Sequence, residues 1–162
     1  MTALDVSEGM LAQARSKPGA GAVRFLVHDL EKPLPLPAQA FDRVLCSLAL
    51  EHVVRLERAL AEMARVCRPD GRVAIIEMHP AMLLKGVSAH FHDPRTGQDV
   101  RPRSVGHQVS GFVTAGLKAG LVLEEMREFF NPNSAKHRGW PVLLTLRFRL
   151  DEISKDSTAA RP

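Results

Sequence analysis

The stretch "FDRVLCSLALEHVVRLERALAEMARVCRPDGRVAIIEM", residues 41–78, decides how the rest of the chain is read. From Val44 to Leu50 only Ser47 interrupts a run of apolar residues, the pattern of a strand covered by helices on both faces of a parallel sheet. Leu56, Leu60, Met63 and Cys67 then recur at spacings of four, three and four, which is one face of a helix over 53–67. "RPDG" at 68–71 turns the chain, and "RVAIIEM" at 72–78 gives a second buried strand. A strand, a helix and a strand in succession form one crossover unit and predict that the two strands pair in parallel.

The same alternation extends to both sides. Residues 1–15, "MTALDVSEGMLAQAR", hold a short apolar stub ending at Asp5, a turn, and then Met10, Leu11 and Ala14 at helical spacing. "AVRFLVHD" at 22–29 is a strand ending at His28-Asp29. Between them "PGAG" at 18–21 follows a helix and precedes a strand, the reverse of what a phosphate cradle requires, so it is a turn. Pro33, Pro35 and Pro37 make 30–40 a surface crossing, because each lacks a backbone donor. On the far side, periodicity lapses from Ala81 to Gln108, too long for an idle connection, and this segment reads as a functional loop or lid. A helix follows from about Ser110 with Gly120 at its stop. "LVLEEMREFF" (121–130) and "PVLLTLRFRL" (141–150) are two strands joined by a turn-rich linker, hence antiparallel partners. Residues 1–150 read as one α/β domain, a doubly wound and mostly parallel sheet closed by an antiparallel hairpin, with residues 151–162 as a disordered tail.

Composition narrows the function. With 45% apolar and 25% charged residues the chain has the make-up of a globular protein. The net charge of +4 comes from cations scattered among carboxylates, with no Tyr and a single Trp, so a nucleic-acid partner is not expected. Cys46 and Cys67 lack metal-ligand spacing and read as small buried apolar groups. There is no secretory start, and no apolar run nears the roughly 18 residues of a membrane span, so no membrane partner and a cytoplasmic location are expected. Only "HFHD" at 90–93 clusters the histidines of the loop, and no metal is expected.

In open α/β sheets ligands bind beyond the carboxyl ends of the strands. Four such ends carry polar groups here: Asp5, Asp29, Ser47 to His52, and Glu77 to Pro80. The series "LDVSEGMLAQAR", "VRFLVHDLEKPLPLPAQAFDRVLCSLALEHV" and "LAEMARVCRPDGRVAIIEMHP" resembles the class I S-adenosylmethionine-dependent methyltransferases, of the small-molecule or ubiquinone type, over residues 3 to 150. The resemblance implies a Rossmann-like fold, S-adenosylmethionine as cofactor and a small-molecule methyl acceptor. It implies that Asp5 accepts from the two ribose hydroxyls, with Val6 beside it and Met10 walling the adenine. Asp29 then accepts from the adenine amino group, with Leu30 at the ring edge, and Ser47 lies near the methionine part. The residues themselves leave a plainer reading open, in which Asp5 or Ser7 only caps the first helix.

His52 or Glu51 is the candidate general base, needed only when the acceptor must lose a proton. The variable segment offers His79, His90 and His107 as candidate acceptor contacts. The glycine-rich turn that follows the family's first strand has no match, so the chain reads as shortened at its N-terminus, lacking that strand and turn. Sheet edges left open in this way predict a partner chain or self-association, and an interaction module without catalysis is the alternative function. A nicotinamide-dependent oxidoreductase shares an acidic group for ribose but explains the closing antiparallel pair poorly.

Overall fold

The computed structural model describes residues 1–93 and 96–151, with only the backbone described at Phe91 and Asp93. The tail expected to be disordered lies outside the described residues, apart from Asp151. The chain divides into two compact units, Met1–Pro35 and Leu36–Pro162, where the sequence reading takes 1–150 as one domain.

In the first unit, β1 (Thr2–Asp5) and β2 (Arg24–Val27) pair in parallel, from Thr2 opposite Arg24 to Asp5 opposite Val27. The crossover is α1 (Glu8–Arg15), which buries Leu11. Ser7 is its N-cap, with Oγ accepting from the Met10 N–H at 3.3 Å. Glu8 in the first turn and Arg15 in the last complement the helix dipole. Arg15 also lies over the Phe25 ring, 5.5 Å from its centre.

In the second unit, β3 (Phe41–Ser47) and β4 (Cys67–Met78) pair in parallel around α2 (Leu56–Val66), as residues 41–78 predict. Leu56, Leu60 and Met63 of α2 are buried, and the helix runs straight into β4 at Cys67. After α3 (Pro80–Leu84) come a small antiparallel pair, β5 (Phe91–Asp93) and β6 (Gln98–Val100), and α4 (Val109–Lys118). β7 (Leu121–Phe130) and β8 (Pro141–Leu150) form the expected antiparallel hairpin. The sheet order is β3-β4-β8-β7, so the last strand inserts between β4 and β7. Val73, Ile75, Leu144, Leu146, Phe148 and Phe112 are buried in this unit. α4 carries Gly116 against that core, where an added Cβ would sit 2.7 Å from the Phe148 ring. Gly120, at φ +75°, ends the helix region in the left-handed conformation that glycine adopts without cost.

Three expectations need correction. The loop over 81–108 contains α3 and the β5–β6 pair, elements too short to show periodicity. "RPDG" lies inside the span of β4 and is not a free turn: β3 advances from Phe41 to Arg43 while β4 advances from Cys67 to Arg72, so the extra residues loop out of the ladder. Gly71 allows this, since a Cβ there would meet the Cys67 sulfur at 2.6 Å. β3 is also not covered as a central strand would be. Among the described residues it pairs with β4 alone, and Leu45 stays 64% exposed.

Candidate functional site

The first unit holds the two carboxylates singled out from sequence, and strand order puts them at the same end. Asp5 closes β1, its carbonyl accepts from the His28 N–H at 2.9 Å, and Asp29 follows His28. Each aspartate makes a local turn: Asp5 Oδ1 accepts from the Ser7 N–H at 2.7 Å and Asp29 Oδ1 from the Glu31 N–H at 2.9 Å. The second oxygen of each accepts no hydrogen bond among the described residues, so each part-buried carboxylate keeps acceptor capacity. The capping alternative is divided in this way: Ser7 caps α1, and Asp5 holds Ser7. Val6 and Met10 are exposed here and Leu30 is half-buried.

The second unit builds its strand-end site around Glu77, which the sequence marks as a polar strand end without a role. Glu77, near the end of β4, is fully buried. Its Oε1 accepts from the N–H groups of Ala49 and Leu50, at 3.1 and 2.9 Å, in the turn after β3. That turn is strained: Leu48 sits at φ +53°, a conformation costing a non-glycine residue about 1–2 kcal/mol. The Leu48 N–H, donating to the Ile76 carbonyl at 2.8 Å, and the two bonds to Glu77 hold it there. Burial pushes the Glu77 carboxyl above its ordinary range, against the lowering pull of the backbone donors, and nearby Glu51 raises it further. Cys46 is pushed up to about 12 by burial and the Glu77 charge, so its thiol is inert at neutral pH. The only sequence sign of Glu77 is a charge closing an apolar strand.

The short turn Leu50–His52 follows, and the end of the 81–108 segment is strapped across it. The Val105 N–H donates to the Glu51 carbonyl at 2.6 Å. His52 Nδ1 lies 2.8 Å from the Arg103 carbonyl, and His107 Nε2 lies 2.7 Å from the Val53 carbonyl. A carbonyl only accepts, so both of these ring nitrogens carry hydrogen. His52 Nε2 then faces Glu51 Oε1 at 3.2 Å, a contact that is attractive only with a proton between them. The buried Glu51 Oε2 has no partner among the described residues. His107 also packs edge-on to Phe112, with ring centres 5.7 Å apart.

The candidate acceptor contacts separate. His107 joins Glu51 and His52. His79 is buried elsewhere: its Nδ1 accepts from the Ala81 N–H at 3.0 Å as the N-cap of α3, and its Nε2 lies 2.9 Å from Glu128. Both of its ring nitrogens are thereby committed. His90 is exposed, with Nδ1 3.1 Å from the Ser88 carbonyl, and Ser47 is exposed at the end of β3. Among the described residues no three His, Cys, Asp or Glu side chains are grouped to hold a metal ion, and no helix is long and apolar enough to cross a membrane.

Comparison with known proteins supports the fold and part of the sequence. Residues 1–75 match a family described as a methyltransferase domain. A solved S-adenosylmethionine-dependent methyltransferase from Mesorhizobium loti superposes with a TM-score of 0.71 at 24% identity, covering 91% of this chain and 79% of that one. This chain therefore has the S-adenosylmethionine-dependent methyltransferase fold, and its first 75 residues carry the methyltransferase domain family's sequence. A malonyl-[acyl-carrier protein] O-methyltransferase of Methylococcus capsulatus is 42% identical over 82 residues, half of this chain and 30% of that protein. The ubiquinone/menaquinone biosynthesis C-methyltransferase UbiE of Methylobacterium nodulans is 40% identical over 80 residues, covering 48% of this chain and 31% of that relative. The matching segment thus spans about three-tenths of these curated relatives.

Proposed function

We propose that this chain binds S-adenosylmethionine and serves methyl transfer to a small-molecule acceptor. The observation that carries this reading is the pair of strand-end aspartates, Asp5 and Asp29, each with one oxygen bonded in its own turn and the other without a hydrogen bond among the described residues. Open carboxylate oxygens suit the hydroxyl and amino donors of an adenosine group, and the residues present fit the cofactor in that respect. When bound, S-adenosylmethionine supplies an electrophilic methyl group. On this reading Asp5 takes the ribose hydroxyls and Asp29 the adenine amino group, with Val6, Met10 and Leu30 as the apolar surround.

Most of the acceleration in such a transfer comes from holding the nucleophile in line and excluding water. Where the acceptor must lose a proton, Glu51 and His52 are the candidate bases: Nδ1 of His52 is tied to Arg103, and its Nε2 lies 3.2 Å from Glu51 Oε1. His107 extends that surface toward the acceptor. His79, with both ring nitrogens engaged, acts here as a helix cap and not as a contact. Equilibrium dialysis of the chain against S-adenosylmethionine tests the reading. Saturable binding in the micromolar range is expected, and no binding up to millimolar ligand would refute it.

A second reading, an interaction module, is favoured by β3 pairing with β4 alone among the described residues and by the exposure of Leu45. It predicts concentration-dependent self-association or capture of an added strand, without cofactor binding.

A further inference from the structure

The tip of the β7–β8 hairpin and the end of α3 come together in a way that neither the cofactor nor the acceptor reading uses. Lys85 Nζ donates to the Lys136 carbonyl at 2.6 Å and lies 5.2 Å from the centre of the Trp140 ring. Phe130 pairs across the hairpin with Pro141, next to Trp140. Leu84, Phe130 and Trp140 are 75%, 55% and 39% exposed. The segments 80–90 and 131–140 carry Lys85, Lys136 and Arg138 and no carboxylate at all. The nearest acid along the hairpin, Glu128, is bonded to His79. His137, lying with Lys85 and Lys136, has its pKa lowered, by desolvation and then by those two charges. The tip is thus a set of cations with no carboxylate partner among the described residues, around exposed aliphatic and aromatic groups.

We propose that this tip is a docking surface for an anionic lipid bilayer, with Trp140, Phe130 and Leu84 entering the headgroup layer and Lys85, Lys136 and Arg138 facing its charge. Tryptophan favours that layer because its ring is apolar and its N–H is polar, and cations beside it are attracted to anionic headgroups. This revises the sequence expectation of no membrane partner. That expectation rested on the absence of a spanning segment, and a surface contact needs none. Charge complementarity selects the lipid over a second copy of the chain, whose equivalent tip is equally cationic. A nucleic acid would want its bases stacked along a basic groove, and a single hairpin tip offers little length for that.

Trp140 is the chain's one tryptophan, so its emission reports on this tip alone. The test titrates the whole chain with vesicles of phosphatidylcholine carrying about a third phosphatidylserine, and with pure phosphatidylcholine vesicles. A blue shift and co-sedimentation with the first and not the second are expected. Lys85→Ala with Lys136→Ala should weaken binding about 25-fold, at about fivefold per cation. Phe130→Ser should weaken it as well, with the far-ultraviolet dichroism of all variants unchanged. The proposal is overturned by no shift on anionic vesicles or by equal binding of the variants. It is also overturned by a shift that depends on protein concentration without lipid, or by one produced by single-stranded oligonucleotide and not by vesicles. Vesicle binding needs no cofactor, so its failure leaves the methyltransferase reading standing.

Discussion

The carboxylates at the strand ends of the two units are committed to different ends. In the second unit Glu77 is buried, and one of its oxygens accepts two backbone N–H groups from a turn some 27 residues away in sequence. In the first unit Asp5 and Asp29 are only part-buried, each accepts one N–H from two residues on, and the second oxygen of each accepts none among the described residues. The contrast separates a carboxylate spent on architecture from one kept for a ligand. Removal of the first should unfold, and removal of the second should disarm.

The largest expected effect tests the architectural side. Glu77→Ala leaves two buried N–H groups unpaired and frees the strained Leu48 turn, and should cost about 2–5 kcal/mol in a denaturant melt. Glu77→Gln should recover most of this, because its amide oxygen accepts the same two donors; equal loss in both variants would put the effect elsewhere. Next in size is Gly116→Ala in α4, about 1–3 kcal/mol, because the new methyl meets the Phe148 ring. A neutral result there would mean that the core yields more readily than the contact indicates.

The pH dependence of Glu77 follows from its sign. Its folded-state pKa is raised, so its favourable contribution is complete below the ordinary carboxylate range and is lost as pH rises through the raised value. Thermal melts from pH 4 to 8 should therefore show Glu77→Gln gaining on the wild type toward the upper end. A constant difference across that range would contradict the buried, raised carboxyl. The smallest effect is Leu48→Gly, which relieves the φ +53° strain and should stabilise the chain by about 0.5–1 kcal/mol, since this side chain is already 54% exposed. Destabilisation by that change would show that Leu48 earns its strained position by a contact of its own.

What the sequence made legible was local or periodic. The α2 stripe of Leu56, Leu60 and Met63 and the antiparallel β7–β8 pair follow from spacing and turn chemistry. Asp5 and Asp29 stand out because a charge closing an apolar run marks a strand end. What escaped was long-range. Nothing in 67–78 tells that Glu77 reaches back to Ala49 and Leu50, nor that β8 slots beside β4. The 81–108 segment hid α3 and β5–β6 because five- and three-residue elements leave no period. The partners of His79, Glu128 and the Ala81 N–H, escaped because they depend on where β7 lies and how α3 begins. Leu45 reads as core in sequence and is exposed, since burial depends on which strands flank β3.

The most direct measurement is calorimetric titration of S-adenosylhomocysteine into the wild type, Asp5→Ala and Asp29→Ala, beside a denaturant melt of each. Affinity should fall by about 1–3 kcal/mol, or about 5- to 150-fold, in either variant, while stability changes by no more than about 1.5 kcal/mol. Unchanged affinity in both variants, or a loss of stability like that of Glu77→Ala, would contradict the account.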